Sequence, residues 1–198
     1  AAGGISSASL EATAQSSRPA PAEGWHLVTI PDAWRKMPSG DLKPIDGYSW
    51  YRCLIQVPES WKGAKLTLYS EAVDDARASY VNGVNVGATG TFPPQFRSGL
   101  GEKGKYDVDA DLIEVGKLNT IGIRVYQDNP RPNFSVAPPI LMNESAKQAI
   151  RMDGDWQYRP GDESAWAKGS TADFGVNVAK LASGTSDRKQ GAFAKVDD

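Results

Sequence analysis

The stretch "SEAVDDARASYVNG", residues 70 to 83, sets two adjacent carboxylates, Asp74 and Asp75, beside an arginine and an aromatic. Paired carboxylates are the acid/base machinery of glycoside hydrolysis, where they face each other across one bond at about 5–9 Å. Adjacent residues of an extended segment point to opposite sides, so these two do not share a substrate in that way. One of them is expected to accept hydrogen bonds at a turn. The other is expected to pair with Arg52 or Arg124, both placed by alternation on the non-core faces of their strands.

The remaining catalytic candidates are thin. His26 is the sole histidine; it sits in a strand pattern and no G-x-S-x-G motif accompanies it. Cys53 is the sole cysteine, and it alternates with Tyr51 and Ile55 on an apolar face, where a thiol behaves as a small buried hydrophobe. In "DVDAD", Asp107, Asp109 and Asp111 present alternate acids. Ca²⁺ would need further oxygens to reach about six to eight ligands, and the Gly and Glu of an EF-hand loop are missing. Acids at a helix start are the simpler reading, since negative charge favours an N-terminus. No cofactor and no catalytic residue are therefore expected.

Binding is better provided for. Trp50, Phe92, Phe96, Tyr126 and Phe134 offer planar stacking surfaces. Arg52, Asp75, Arg97, Arg124 and Asn133 offer directed donors and acceptors, the mixture that ligand sites use. Trp25, Trp34, Trp61 and Trp156 are assigned to packing.

These residues must be positioned by strands. "SWYRCLIQV" alternates, with Tyr51, Cys53, Ile55 and Val57 on one face and Trp50, Arg52, Leu54 and Gln56 on the other. "NTIGIRVYQ" puts Ile121, Ile123 and Val125 on one face and Thr120, Gly122, Arg124 and Tyr126 on the other. Asn82-Gly83, between apolar runs, predicts a tight hairpin. "WHLVTI", "AKLTLYS" and "KYDVD" read as strands, "ADLIEVGK" as a helical turn closed by Gly116, and "PILMN" and "AIRMDGDWQYR" as two late strands. Many short strands with few helical patterns predict an all-β antiparallel sandwich or barrel. Residues 1–23 read as an Ala/Ser-rich leader, 24–160 as the β domain, and 161–198 as an extension and linker.

Composition agrees. The 198 residues are 40% hydrophobic and 23% charged with net charge −2. That balance provides no basic face for nucleic acid, and no apolar run reaches the ~18 residues of a membrane helix.

The ordered elements Trp25, Pro31 and Trp34; "WYR" at 50–52; "VP" and the Trp61–Gly63 turn; Asp74 and Asp75 before "YVNG"; the block from Tyr106 to Asn119; Ile123 to Val125; and Gly154, Trp156, Tyr158 and Arg159 resemble a known pattern. It is similar to the galactose-binding-like jelly-roll domain of glycoside hydrolase family 2 enzymes, and closer still to the related domain inserted in bacterial sialate O-acetylesterases. The loops "ATGTFPPQFRSGLGEKGK" and "QDNPRPNFSVAPP" depart from that pattern. The resemblance implies a jelly roll without a catalytic centre. It implies an accessory module, carbohydrate-binding, in a larger secreted or surface protein, extracellular or periplasmic, with neighbouring domains and a glycan as partners. The alternatives are a structural or protein–protein interaction domain positioning a neighbouring catalytic domain, and a fragment of a hydrolase whose catalytic part lies outside this chain.

Overall fold

The structure is a computed structural model that describes residues 23–30, 47–70, 75–128, 137–169, 172–174 and 194–195. Trp34, Asp74, Asn133 and Phe134 lie outside the described residues. The chain forms β1 (His26–Ile30), β2 (Gly47–Gln56), β3 (Leu66–Ser70), β4 (Ala76–Val81), β5 (Val84–Thr89) and β6 (Gly104–Val108). It continues with β7 (Leu118–Gln127), β8 (Ile140–Asn143), β9 (Gln148–Arg151), β10 (Gly154–Pro160) and β11 (Ala194–Lys195). One sheet has six strands in the order β1-β10-β2-β7-β4-β5, the other five in the order β11-β9-β8-β3-β6. Every pairing among them is antiparallel. The fold is an all-β, two-sheet antiparallel sandwich, one of the two architectures that the alternation predicted.

The register explains the core. β2 and β7 pair along their whole length, placing Tyr51 opposite Ile123 and Cys53 opposite Ile121. Those inward residues, with Ile55, Val125, Val81, Trp156 and Tyr158, meet Leu66, Leu68, Tyr106, Val108, Leu141 and Ile150 of the other sheet. Cys53 is buried among them and in no disulfide. Trp61, carried by a 3-10 turn (Glu59–Trp61), is also buried, and its Nε1 donates to Gln148 Oε1 at 3.0 Å.

The β4–β5 hairpin turns on Asn82 (φ 48°) and Gly83 (φ 87°), two positive-φ residues as a type I′ turn requires. The Asn82 side chain adds a tether: its Nδ2 donates to Asn119 Oδ1 (2.8 Å) and to Leu112 O (2.7 Å), and its Oδ1 accepts from Thr120 N (2.8 Å).

Two expectations about elements are corrected. "AIRMDGDWQYR" is two strands, β9 and β10, because the chain crosses from one sheet to the other at Met152–Asp153, with Gly154 at φ 114° opening β10. "ADLIEVGK" holds a 3-10 turn only at Ala110–Leu112, which closes at Ile113 through its N–H to Ala110 O. Gly116 instead donates its N–H to Val57 O at 2.7 Å. The three acids of "DVDAD" are divided. Asp109 caps the 3-10 turn by accepting from Asp111 N at 3.0 Å. Asp107 sits on β6 opposite Thr67.

Candidate functional site

The described members of the sequence-predicted binding set gather at the outward face of the six-stranded sheet, in two zones. The first is covered. Residues 161–169 fold back over the sheet, with a 3-10 turn at Ser164–Ala167, and a second 3-10 turn, Ala172–Phe174, follows. Together with Trp25 they bury Trp50, 1% exposed, which packs against Tyr80 at 5.1 Å between ring centroids. Arg52 is 3% exposed, its guanidinium 3.8 Å from the Trp25 ring centroid and 4.9 Å from that of Phe174. Its Nε donates to Gln157 Oε1 at 2.8 Å, and Gln157 Nε2 donates to Asp173 O at 2.8 Å. Thr120 Oγ1 donates to Gly169 O. Burial disfavours the Arg52 cation and pulls its pKa down to about 10, against the attraction of Asp173.

Trp50 and Arg52 do lie on the face opposite Cys53, but that face is not open here. Their placement on an accessible polar surface is corrected: Trp50 is a core residue of a smaller second cluster, and Arg52 is the ionic filling beneath its cover. The expected pairing of Arg52 with an acid from "EAVDD" does not occur among the described residues; its partners are Gln157 and two aromatic rings.

The second zone is half-exposed. Tyr48 and Tyr126 are register partners on β2 and β7, with ring centroids 5.0 Å apart. The loop 91–97 folds onto them. Phe92 stacks on Tyr48 at 6.0 Å with 13° between planes, and Phe96 meets Tyr126 edge-on at 5.2 Å. Arg124 lies 4.6 Å from the Tyr48 centroid and 4.3 Å from that of Phe92. It also forms a two-pronged pair with Asp162, Nε to Oδ1 at 2.6 Å and Nη2 to Oδ2 at 2.5 Å. Those hydrogen bonds raise the Arg124 pKa above its already high ordinary value, outweighing partial burial.

The loop is held as a unit. Thr91 and Arg97 bridge through their backbones, and Thr91 Oγ1 donates to Gln95 O at 2.5 Å. Arg97 pairs with Glu102 at 2.6 Å on the solvent side. Asp75 anchors the loop base: its Oδ1 accepts from Ser98 Oγ (2.8 Å), its Oδ2 from Asp128 N (3.0 Å), and its carbonyl from Gly99 N. Asp75 thus accepts hydrogen bonds at a turn, the structural role weighed for it.

The fold therefore brings Phe92, Phe96, Arg124 and Tyr126 together, with Asp75 as a support and Arg97 at the loop's rim. Tyr48 and Asp162 belong to the same cluster and were not singled out in the sequence. Tyr48 was legible: it shares the parity of Trp50 on β2. Asp162 carried no signal, because its contact with Arg124 comes from the return of the chain after β10. A planar aromatic surface with a charged pair of fixed direction at its edge suits a ligand that combines apolar faces with hydroxyls. Among the described residues, no three His, Cys, Asp or Glu side chains are grouped to hold a metal ion, and no helix is long and apolar enough to cross a membrane.

No family model and no curated relative matches the chain. Solved structures similar to it include an α-L-rhamnosidase of Streptomyces avermitilis complexed with L-rhamnose, at 19% identity over 63% of this chain and 12% of that one, with TM-score 0.42. A β-D-glucuronidase of Dictyoglomus thermophilum is similar at 15% identity over 71% of this chain and 29% of its own, TM-score 0.41. A Ruminococcus gnavus β-glucuronidase in complex with D-glucuronic acid is similar at 10% identity over 71% and 30%, TM-score 0.38. The chain spans a minor part of each.

Proposed function

We propose that this chain is a non-catalytic, carbohydrate-binding accessory module of a larger secreted or surface protein. In this reading the binding surface is the Tyr48–Phe92 stack with Tyr126, Phe96 and the Arg124–Asp162 pair. The observation that carries it is the Tyr48–Phe92–Arg124 arrangement: two near-parallel rings fixed by an arginine that is itself fixed by a carboxylate. Such a platform is organised before a ligand arrives, so less ordering is needed on binding. The module takes up residues 24–160, with 161–169 and 172–174 as its cover. The galactose-binding-like jelly-roll resemblance, and an extracellular or periplasmic setting, belong to the same proposal, as would the departing segment with Asn133 and Phe134.

The test is a glycan array, or calorimetry with the array's best oligosaccharide, on the parent chain and on Phe92→Ala and Tyr126→Ala. Binding that both variants lose supports the reading. A parent chain that binds no plant, algal or host glycan overturns it.

A structural role is the second reading, favoured by the Arg124–Asp162 pair, which also clamps the cover segment to the sheet. In that role the aromatic surface would pack on a neighbouring catalytic domain outside this chain, and Phe92→Ala would loosen that contact instead of a glycan's.

A further inference from the structure

The six-stranded sheet ends at β5, which pairs on one side only, with β4. On its other side, among the described residues, no backbone N–H or carbonyl of Val84–Thr89 meets a hydrogen-bond partner. A bare sheet edge is a template for another strand, and proteins usually blunt it with charge. β6, an edge strand of the other sheet, follows that rule, since its two exposed residues are Lys105 and Asp107. β5 does not. Its sequence, VNVGAT, contains no charge and no proline, and Val84, Asn85 and Ala88 are exposed. A bulge sets Val86 out of register, between Asn85 opposite Tyr80 and Gly87 opposite Ser79. That divides the edge into two short runs, which suits a weak, reversible pairing better than a fibre.

The two exposed large apolar side chains of the described residues mark the two ends of this edge. Val84, 46% exposed, opens β5. Leu100, 43% exposed, follows Gly99, whose backbone is pressed against Thr89 and Gly90 at the strand's far end. A strand of this length sets them roughly 17–20 Å apart, so one small contact does not cover both. Antiparallel pairing of two copies of β5 does. The start of each strand then lies beside the end of the other, and Val84 of each copy comes to the Leu100 end of its mate. The contact repeats itself under a two-fold axis, as a closed dimer requires. With no charge on the strand, the two edges do not repel.

We infer that β5 is a self-association edge, at which a second copy of this chain adds its own β5 antiparallel and joins the two six-stranded sheets into one. A single pair of such strands buries less surface than the about 1,200–2,000 Å² of stable complexes, so the dimer forms at about 0.1 mM. The two-fold axis stands perpendicular to the joined sheet, so the outward faces of both copies, with their Tyr48–Phe92 stacks, point to the same side. The association is independent of what those faces bind.

The experiment is sedimentation equilibrium of the full chain between about 10 µM and about 1 mM. The parent is expected to pass from monomer to dimer over that range. Ala88→Lys puts a charge on the bare edge, and Val84→Lys and Leu100→Glu put one at each end. Each is expected to weaken the dimer at least about tenfold. All three positions are exposed, so the variants should melt with the parent. An equimolar mixture of the Val84→Lys and Leu100→Glu chains should dimerise more tightly than either alone, because antiparallel pairing sets the introduced ammonium beside the introduced carboxylate. A parent that stays monomeric at about 1 mM overturns the inference and leaves the edge to a neighbouring domain. A dimer that all three substitutions leave intact overturns it too, as does a mixture no tighter than its components.

Discussion

Arg124 on β7 and Asp162, two residues beyond β10, meet through two parallel hydrogen bonds of 2.6 and 2.5 Å. Paired forks of this kind fix direction as well as charge. Here the pair does two things at once. It holds the guanidinium beside Tyr48 and Phe92, and it ties the segment that covers Trp50 to the sheet. Asp162→Ala is expected to cost only about 1 kcal/mol of stability, because both partners are partly solvated. The larger effect should be on order: solvent exchange at the Trp166 and Ala167 amides should accelerate in the variant. Unchanged exchange there would show that the cover holds without the clamp.

Trp50 should behave as a core residue. It is 1% exposed and packs on Tyr80 and the cover, so Trp50→Ala is expected to lose ~3–5 kcal/mol in chemical denaturation. Its Nε1 has no hydrogen-bond partner, so Trp50→Phe should retain most of that stability. A surface stacking residue would give the opposite pattern, with an alanine variant as stable as the parent.

The contrast between Trp50 and Cys53 shows what alternation conveys. Parity placed both side chains on the correct faces of β2, and the Asn82-Gly83 turn and the partition of β7 were equally legible, because a strand's period of two depends only on local geometry. Parity does not say what lies above a face. The cover consists of 3-10 turns of three and four residues, too short to carry any helical periodicity. Phe174 therefore gave no local sign that it would roof Arg52, nor Trp166 that it would pack on Trp25. The site was legible in the same proportion. Phe92, Phe96 and Tyr126 stood out as aromatics in loops or on an outward face, whereas the Arg124–Asp162 contact spans 38 positions and exists only in the folded chain.

Arg52 is held by shape as much as by charge. Its guanidinium lies between Trp25 and Phe174 and donates to Gln157. Arg52→Lys would keep the charge but lose the flat surface that stacks. It is expected to destabilise the chain by ~1–2 kcal/mol, and Arg52→Ala by more, since it also leaves a void and an unpaired Gln157 Oε1. Urea denaturation of the two variants checks the order; equal stability of Lys and parent would refute the stacking role.

Glu102 offers a test by titration. The hydrogen bond from Arg97 holds its carboxyl below the ordinary range, against a small desolvation effect. A depressed carboxyl pKa means that whatever the pair contributes is present above the unfolded pKa and is lost as pH falls through the folded one. Arg97→Gln should return the Glu102 titration, followed by carboxyl carbon shifts, toward that of a free glutamate. Because Arg97 sits at the rim, the Phe92 and Tyr126 ring signals should stay in place. A titration that ignores the substitution would sever the link between the two residues.

Asn119 is the most heavily used polar side chain of the described core, at 0% exposure. Its Oδ1 accepts from Glu114 N and Asn82 Nδ2, both at 2.8 Å. Its Nδ2 donates to Glu114 O (2.9 Å) and Lys117 O (3.0 Å). All four capacities of the amide, two acceptor and two donor, are thus engaged by the hairpin and by the turn before β7. Asn119→Ala strands at least one buried donor and is expected to cost ~2–3 kcal/mol. Asn119→Asp should cost at least as much, since a carboxylate cannot donate to the Glu114 and Lys117 carbonyls. Thermal melts of the two variants decide it, and an aspartate variant that melts with the parent would show that the two donated bonds contribute nothing.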